Sequence, residues 1–250
     1  MSKVGMEVSM NKIKLFCLPY AGGSSMIYKK WENNLDNSIQ LIMLELAGRG
    51  NRSKEPYYDS MQEAVEDIFS IVKANTDDSE YAIFGHSMGS ILAYKLAAKI
   101  KDSEMKQPLH LFLSGRYPPS IKKEERNIYL LPEEEFIQEA RSMGGIPEKL
   151  FRYEVLLQKA METLRADYKI LETGGYQPII KKLNYNISIL SGNEDALSEA
   201  LDMSIWEKYT EGKCSFYVFE GGHFYLHSNA EGIVNIINKT LIREGANSLQ

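Results

Sequence analysis

The stretch 81–100, YAIFGHSMGSILAYKLAAKI, decides the fold. Its first four residues read as a buried strand. A turn follows with Gly85 and Gly89 on either side of Ser87, and Ile91, Leu92, Leu96 and Ile100 then recur at helical spacing. Strand, turn and helix around G-x-S-x-G form the nucleophile-elbow pattern, in which the serine stands clear of a sheet and the glycines allow close packing. A chain of this length holds one such pentapeptide by chance roughly one time in ten, so the strand before it and the helix after it carry the weight.

Outward from this stretch, short apolar runs alternate with helical patterns, which predicts an α/β architecture around a mostly parallel sheet. KIKLFCL (12–18), QLIMLEL (40–46), LHLFL (109–113), NISIL (186–190) and SFYVF (215–219) read as further strands. Continuous apolar runs of this kind suit strands covered on both faces. The segment 60–75 opens with Ser60 and Glu63 in capping-box spacing, and Met61, Val65, Ile68 and Val72 make one apolar stripe. AEGIVNIINKTLI (230–242) reads as the closing helix. The stretch 114–185 is far longer than a βα connection needs. It holds two amphipathic patterns, PEEEFIQEA and IPEKLFRYEVLLQKAMETLRADYKIL. We read roughly 124–170 as a helical lid inserted over the strand ends. The other reading is a helical pair on the sheet edge without a gating role.

Composition bounds the rest. With 250 residues, 44% of them hydrophobic, the chain suits one α/β domain, 1–250, carrying an insertion. Cys17 and Cys214 have no ligand or redox spacing and suit a reducing compartment. The start, MSKVGMEVSMN, lacks the apolar core of a secretory signal, and no apolar run is long enough to span a membrane. A cytoplasmic protein without membrane contact is expected. The net charge of −5, with scattered basic residues, argues against nucleic-acid binding.

A serine hydroxyl needs a base, and the base needs an orienting carboxylate. In α/β hydrolases these follow in the order serine, acid, histidine. Of four histidines, His86 adjoins the serine and points elsewhere, and His110 precedes any acid in the required order. His223 lies just past the strand SFYVF, whereas His227 falls where the last helix begins. His223 is the expected base. The strand NISIL runs into SGNEDALSEALD, which places Asp195 at its C-terminal end. Glu194, Glu199 and Asp202 compete, Asp202 most strongly, and Asn-Glu-Asp also suits a solvated turn with an N-cap. Oxyanion donors are expected from the backbone N–H of Met88 and from the loop LPYAGGSS (18–25), through Ala21 first and Gly22 second. This loop is not a phosphate loop, since G-x-x-x-x-G-K-[ST] is absent.

LFCLPYAGGSS, ELAGRGNR, FGHSMGS, SGRYPP, LRADYKILE, SGNED and GGHFYL occur in the order and spacing of type II thioesterases. These are the stand-alone editing hydrolases that accompany nonribosomal peptide and polyketide synthetases, and the resemblance covers about 13–240. It implies an α/β-hydrolase fold with a helical lid before the acid-bearing strand. It implies a triad of Ser87, Asp195 and His223, with the Ala21 and Met88 amides as oxyanion donors. It further implies acyl thioesters carried on the phosphopantetheine arm of acyl or peptidyl carrier domains, with no cofactor or metal of the enzyme's own; a monomer is the default expectation. Arg49, Arg52 and Arg116 sit in family motifs and read as loop anchors. Lys122–Lys123 and Lys181–Lys182 are candidate contacts for an acidic carrier domain. Two features depart from the family pattern. Ala47 stands where a proline is common, and Gly174 or Gly175 stands where a tyrosine is common, before Tyr176. Two other readings remain: a general carboxylesterase or acyl-CoA hydrolase on small soluble substrates, and a non-catalytic binding module.

Overall fold

In the computed structural model, which describes residues 12–122, 126–146, 148–198 and 200–248, the apolar runs pair into one sheet. The strands are β1 (Ile13–Leu18), β2 (Ile39–Met43), β3 (Tyr81–His86), β4 (His110–Ser114), β5 (Ile187–Gly192) and β6 (Cys214–Phe219), in the order β2-β1-β3-β4-β5-β6. Every pairing is parallel. The helices are α1 (Met61–Thr76), α2 (Met88–Lys101), α3 (Glu133–Met143), α4 (Glu154–Gly174), α5 (Ala200–Ser204), α6 (Tyr225–Ser228) and α7 (Ala230–Ser248).

Parallel strands need crossovers, and the crossover helices cover both faces. On one face α1 and α2 bury Val65, Ile68, Leu92 and Leu96 against Phe16, Ile83 and Leu111. On the other, α7 and the 3-10 turn Ser25–Asn33 bury Ile233, Ile237, Tyr28 and Trp31 against Leu15, Phe84 and Phe112. Each fully buried Leu, Ile or Phe contributes about 1.5–3 kcal/mol. All six residues of β3 are buried, so the strand carrying the elbow is fixed from both sides.

Several details differ from the sequence reading. The second strand ends at Met43, not at 46: Leu44 N–H donates to Cys17 O (3.0 Å) and the chain then leaves the sheet. β3 runs two residues further, to His86. β6 is an edge strand. Tyr217 and Phe219 pack towards α7, but Phe216 and Val218 are exposed, so only one face of it is covered. In the capping box, Ser60 Oγ accepts from Glu63 N–H (3.1 Å), while the Glu63 carboxylate accepts from Asp59 N–H (2.7 Å).

Between β4 and β5 lie α3, a 3-10 turn at Glu148–Arg152, and α4. The second helical pattern starts at Glu154, because Tyr153 takes an extended conformation. Phe136 and Ala140 of α3 meet Met161 and Leu164 of α4 in a small separate core. α4 continues down onto α1. At Gly174 a Cβ would lie 2.6 Å from the Met61 Cβ, so the tyrosine common in this region has no room at that position.

Candidate active site

The elbow is built from backbone packing. Ser87 has φ 55° and ψ −115°, a costly conformation for a residue with a Cβ. It is held there by Ser87 N–H donating to Ser114 O (2.8 Å) and Ser90 N–H donating to Ser87 O (3.0 Å). Ser90 Oγ bridges to Gly85 O (2.8 Å) and Ser114 O (2.7 Å). A Cβ at Gly85 would stand 2.0 Å from Gly89 O, and one at Gly89 would stand 2.4 Å from Leu18 O. Both glycines of the motif are therefore steric necessities.

The structure brings Ser87, His223 and Asp195 into one hydrogen-bonded line at the C-terminal ends of β3, β6 and β5. His223 Nε2 lies 2.9 Å from Ser87 Oγ, and His223 Nδ1 lies 2.9 Å from Asp195 Oδ2. An ionised carboxylate only accepts, so the hydrogen sits on Nδ1 and Nε2 is left to accept from the serine hydroxyl. Asp195 also accepts from Leu197 N–H (2.9 Å) and Ser198 Oγ–H (2.7 Å). Burial pushes its carboxyl upward, but the bonds from His223, Ser198 and Leu197 outweigh it and hold the group below the ordinary aspartate range. The arrangement can take a proton from Ser87 and store it as a carboxylate-paired imidazolium.

The other candidates are placed elsewhere. His86 is fully buried, 2.8 Å from Ser114 Oγ, which in turn meets the Tyr225 hydroxyl (2.5 Å). Burial, then the neighbouring His223, drive its pKa well down, so it packs as a neutral ring. His110 bonds Glu244 (2.9 Å) and Ser188 (2.8 Å) at the start of β4. His227 is exposed and its Nε2 lies 3.2 Å from the Tyr20 hydroxyl. Glu194 is exposed, with its N–H on Gly221 O (3.1 Å), and Asp202 lies on α5. Glu199 and Lys123 fall outside the described residues. Lys122 lines the cavity described below, and Lys181 is engaged by Asp102.

Met88 opens α2, where N–H groups lack helical partners and the helix dipole favours negative charge. Gly22 N–H donates to Asp167 Oδ2 (2.7 Å) and is thereby removed from the oxyanion candidates. Arg49 anchors its loop, as expected, through Asp167 (2.6 Å to each carboxylate oxygen) and Gly23 O (3.2 Å). Arg52 does the same through Asp67 (2.7 Å) and Glu45 O (3.1 Å). Arg116 differs. Its carbonyl accepts from Trp206 Nε1–H (3.0 Å), while its side chain stacks on Tyr117 and lines the cavity. Ala47 N–H donates to the Tyr58 hydroxyl (3.2 Å), a bond that proline in its place lacks.

Above Ser87 and His223 opens a cavity of about 640 Å³. Its far wall is the inserted segment, through Ile128, Met143, Ile146 and Leu164, and Ala21 lines it beside Ser87. Asp167 was not singled out from sequence. The available signal was an aspartate on the apolar stripe Leu164–Leu171 of an amphipathic helix, where only a paired charge is tolerated.

The thioesterase-domain family model matches residues 13–241. The chain belongs to that family. A relative named linear gramicidin dehydrogenase LgrE, from Brevibacillus parabrevis, is 32% identical over 92% of this chain and 88% of its own length. ClbQ of the colibactin nonribosomal peptide/polyketide synthetase pathway superposes with a TM-score of 0.89 at 33% identity, covering 94% of this chain and 99% of its own. BorB, a type II thioesterase from the borrelidin biosynthetic cluster, superposes with a TM-score of 0.83 at 31% identity, covering 92% and 93%. The motif-based resemblance to type II thioesterases therefore stands, as does the α/β-hydrolase fold, and the chain is a thioester hydrolase. No described helix is long and apolar enough to cross a membrane.

Proposed function

We propose that the thioesterase removes acyl groups from the phosphopantetheine arms of carrier domains, clearing misloaded or stalled synthetases, with Ser87, His223 and Asp195 as its triad. The observation that carries this reading is the continuous Ser87–His223–Asp195 line at the floor of a cavity roofed by an inserted helical segment. Ser87 Oγ attacks the thioester carbonyl as His223 Nε2 takes its proton. The Met88 and Ala21 amides face the oxyanion. The carbon–sulfur bond breaks and the thiol leaves with the proton from His223. A pantetheine thiol has a pKa near 8.5, like cysteine, so it leaves with little acid help. Water then attacks the acyl-serine, giving its proton to His223, and the collapsing intermediate returns that proton to Ser87 with release of the carboxylic acid.

In this reading the chain acts as a single domain, 124–170 is its lid, and the arm enters beneath it. The enzyme needs no metal or cofactor of its own, works as a monomer and meets its carrier domains in the cytoplasm. Relatives and neighbours from synthetase pathways support the carrier assignment. The test uses a carrier domain loaded with acetyl-phosphopantetheine. Loss of the acetyl group is followed by intact mass for wild type and Ser87→Ala, beside acetyl-CoA and a p-nitrophenyl ester at matched concentration. Faster stripping of the carrier, abolished in Ser87→Ala, is expected. Equal or faster cleavage of the free substrates would overturn the carrier assignment.

A further inference from the structure

Asp167 lies 145 residues from Gly22 and 118 from Arg49, yet its carboxylate joins both. Oδ2 accepts Gly22 N–H at 2.7 Å, and the two oxygens accept the Arg49 fork at 2.6 Å each. Arg49 Nη1 also donates to Gly23 O at 3.2 Å. The pair is sealed, with Arg49 and Asp167 side chains 6% and 2% exposed. One helical turn before, Leu164 packs onto the same loop: a Cβ on Gly22, which has φ +75°, would stand 2.9 Å from its Cδ1. On the same stretch of α4, Thr163 Oγ1 meets the Tyr57 hydroxyl at 2.9 Å. The loop that carries Ala21 is thus gripped from above by α4 through Gly22 N–H and from the side by Arg49 through Gly23 O. The grip falls on the peptide that follows the proposed oxyanion donor.

We infer that Asp167 is a positioning residue for oxyanion stabilisation, with Arg49 as its partner, so that the second half of α4 belongs to the catalytic frame and not to a free-swinging lid. This rests on the reading of Ser87 as nucleophile and Ala21 N–H as oxyanion donor. Breaking the grip frees the 20–23 loop to rotate its peptides and displaces the Ala21 N–H. The acyl wall and the triad keep their own contacts. The cost therefore appears in the transition state, where the oxyanion forms, and not in ground-state binding.

The test compares wild type, Asp167→Asn, Asp167→Ala and Arg49→Lys on one acyl thioester. It also measures affinity for a trifluoromethyl ketone of the same acyl chain, whose adduct with serine carries an oxyanion. Losing a single oxyanion donor costs about 10²–10³ in kcat, so a misplaced one in Asp167→Ala should cost about 10- to 100-fold. KM should stay within about twofold and ketone affinity should fall by the same factor as kcat. Asp167→Asn keeps an acceptor for Gly22 N–H and should recover part of both; it carries the test alone if the alanine variant does not fold. A variant with lower Tm but wild-type kcat and ketone affinity would overturn the inference, because a merely structural pair behaves in that way. An equal loss in kcat/KM that resides wholly in KM would overturn it too. Failure of the underlying reading has a different signature: Ser87→Ala would then retain activity and wild type would not form the ketone adduct.

Discussion

Asp195→Asn bears hardest on the proposed chemistry. The Asp195 side chain is 1% exposed and takes three donors, Leu197 N–H on Oδ1, and Ser198 Oγ–H and His223 Nδ1–H on Oδ2. An amide offers one oxygen. If that oxygen takes the Oδ1 position, Leu197 N–H keeps its acceptor and the NH₂ faces His223. Nδ1 must then accept, the hydrogen moves to Nε2, and Nε2 cannot take the proton from Ser87. The flipped amide restores the base but leaves the half-buried Leu197 N–H unpaired, at about 1–3 kcal/mol. That alone depletes the productive tautomer by a factor of about 5 to 150. The substitution also removes the negative charge that stabilises the imidazolium. At about 4 Å and an effective dielectric near 20 this is worth about 4 kcal/mol, or roughly a thousandfold. Together they predict a kcat loss on the order of 10⁴- to 10⁵-fold, with KM within about twofold because the side chain is almost wholly buried behind His223. Steady-state thioester turnover with circular dichroism melting of the same samples measures it. A loss below tenfold would refute the reasoning, since His223 would then take its tautomer from another group. Asp202→Asn, on α5, is the control and should leave kcat within about twofold.

Gly85→Ala should destabilise the fold by about 3 kcal/mol or more in urea unfolding, since the added Cβ meets Gly89 backbone at 2.0 Å. Gly144→Ala, with nothing within 4 Å but φ +75°, should cost about 1–2 kcal/mol. Stability should fall in acid. Asp195, Asp67 and Glu244 are held below their ordinary values against the upward push of burial, by His223, Arg52 and His110 respectively. Their contributions are complete above the unfolded carboxyl values near 4 and are lost as pH falls through the lower folded values. Tm should therefore begin to fall below about pH 6.5, where the buried neutral His86 gains a proton only in the unfolded chain, and drop more steeply below about pH 4, and Asp67→Asn should flatten part of that steeper drop. A Tm that rises on acidification contradicts the assignment. Ala160→Phe, in the cavity wall, should slow hydrolysis of long acyl chains at least about tenfold relative to acetyl. Equal effects on both would mean the acyl chain lies elsewhere. Under hydrogen exchange, α3 and the first half of α4 should lose protection before 163–174 does. Uniform protection across α4 would argue against a divided helix.

The legible part of the site is the part that topology dictates. In a parallel sheet with short connections, residues just past adjacent strand ends must meet. β3, β4, β5 and β6 are successive neighbours, so the turn after β3 and the loops after β5 and β6 converge wherever their exact ends fall. This is why misjudging the end of β3 by two residues left Ser87 correctly at the turn. His86 and His110 could be set aside because chain order excluded them. Asp195 lies nearer the strand end than Asp202, and it is Asp195 that reaches His223, while Asp202 lies on α5.

The illegible part depends on contacts that no local pattern encodes. Asp167 betrays itself as a charge on an apolar stripe, but its choice of Gly22 N–H and Arg49 depends on where a 21-residue helix crosses the sheet end. An insertion docked from above has no strand register to fix that crossing. Spacing likewise shows that 124–170 is inserted, but not which part of it is held. Leu164 lies against Gly22, Asp167 is bound by Arg49, and Gly174 is closed onto Met61, so the far half of α4 has contacts at every turn. The near half and α3 rest on the small core of Phe136, Ala140 and Met161, while Tyr153, Val155 and Leu156 stand exposed. The lid we propose would open at its weaker end. The space such opening creates lies over Ile128 and Met143, on the acyl side of the cavity. The loop of Ala21 is tied to the other half, through Gly22 to Asp167 and Leu164.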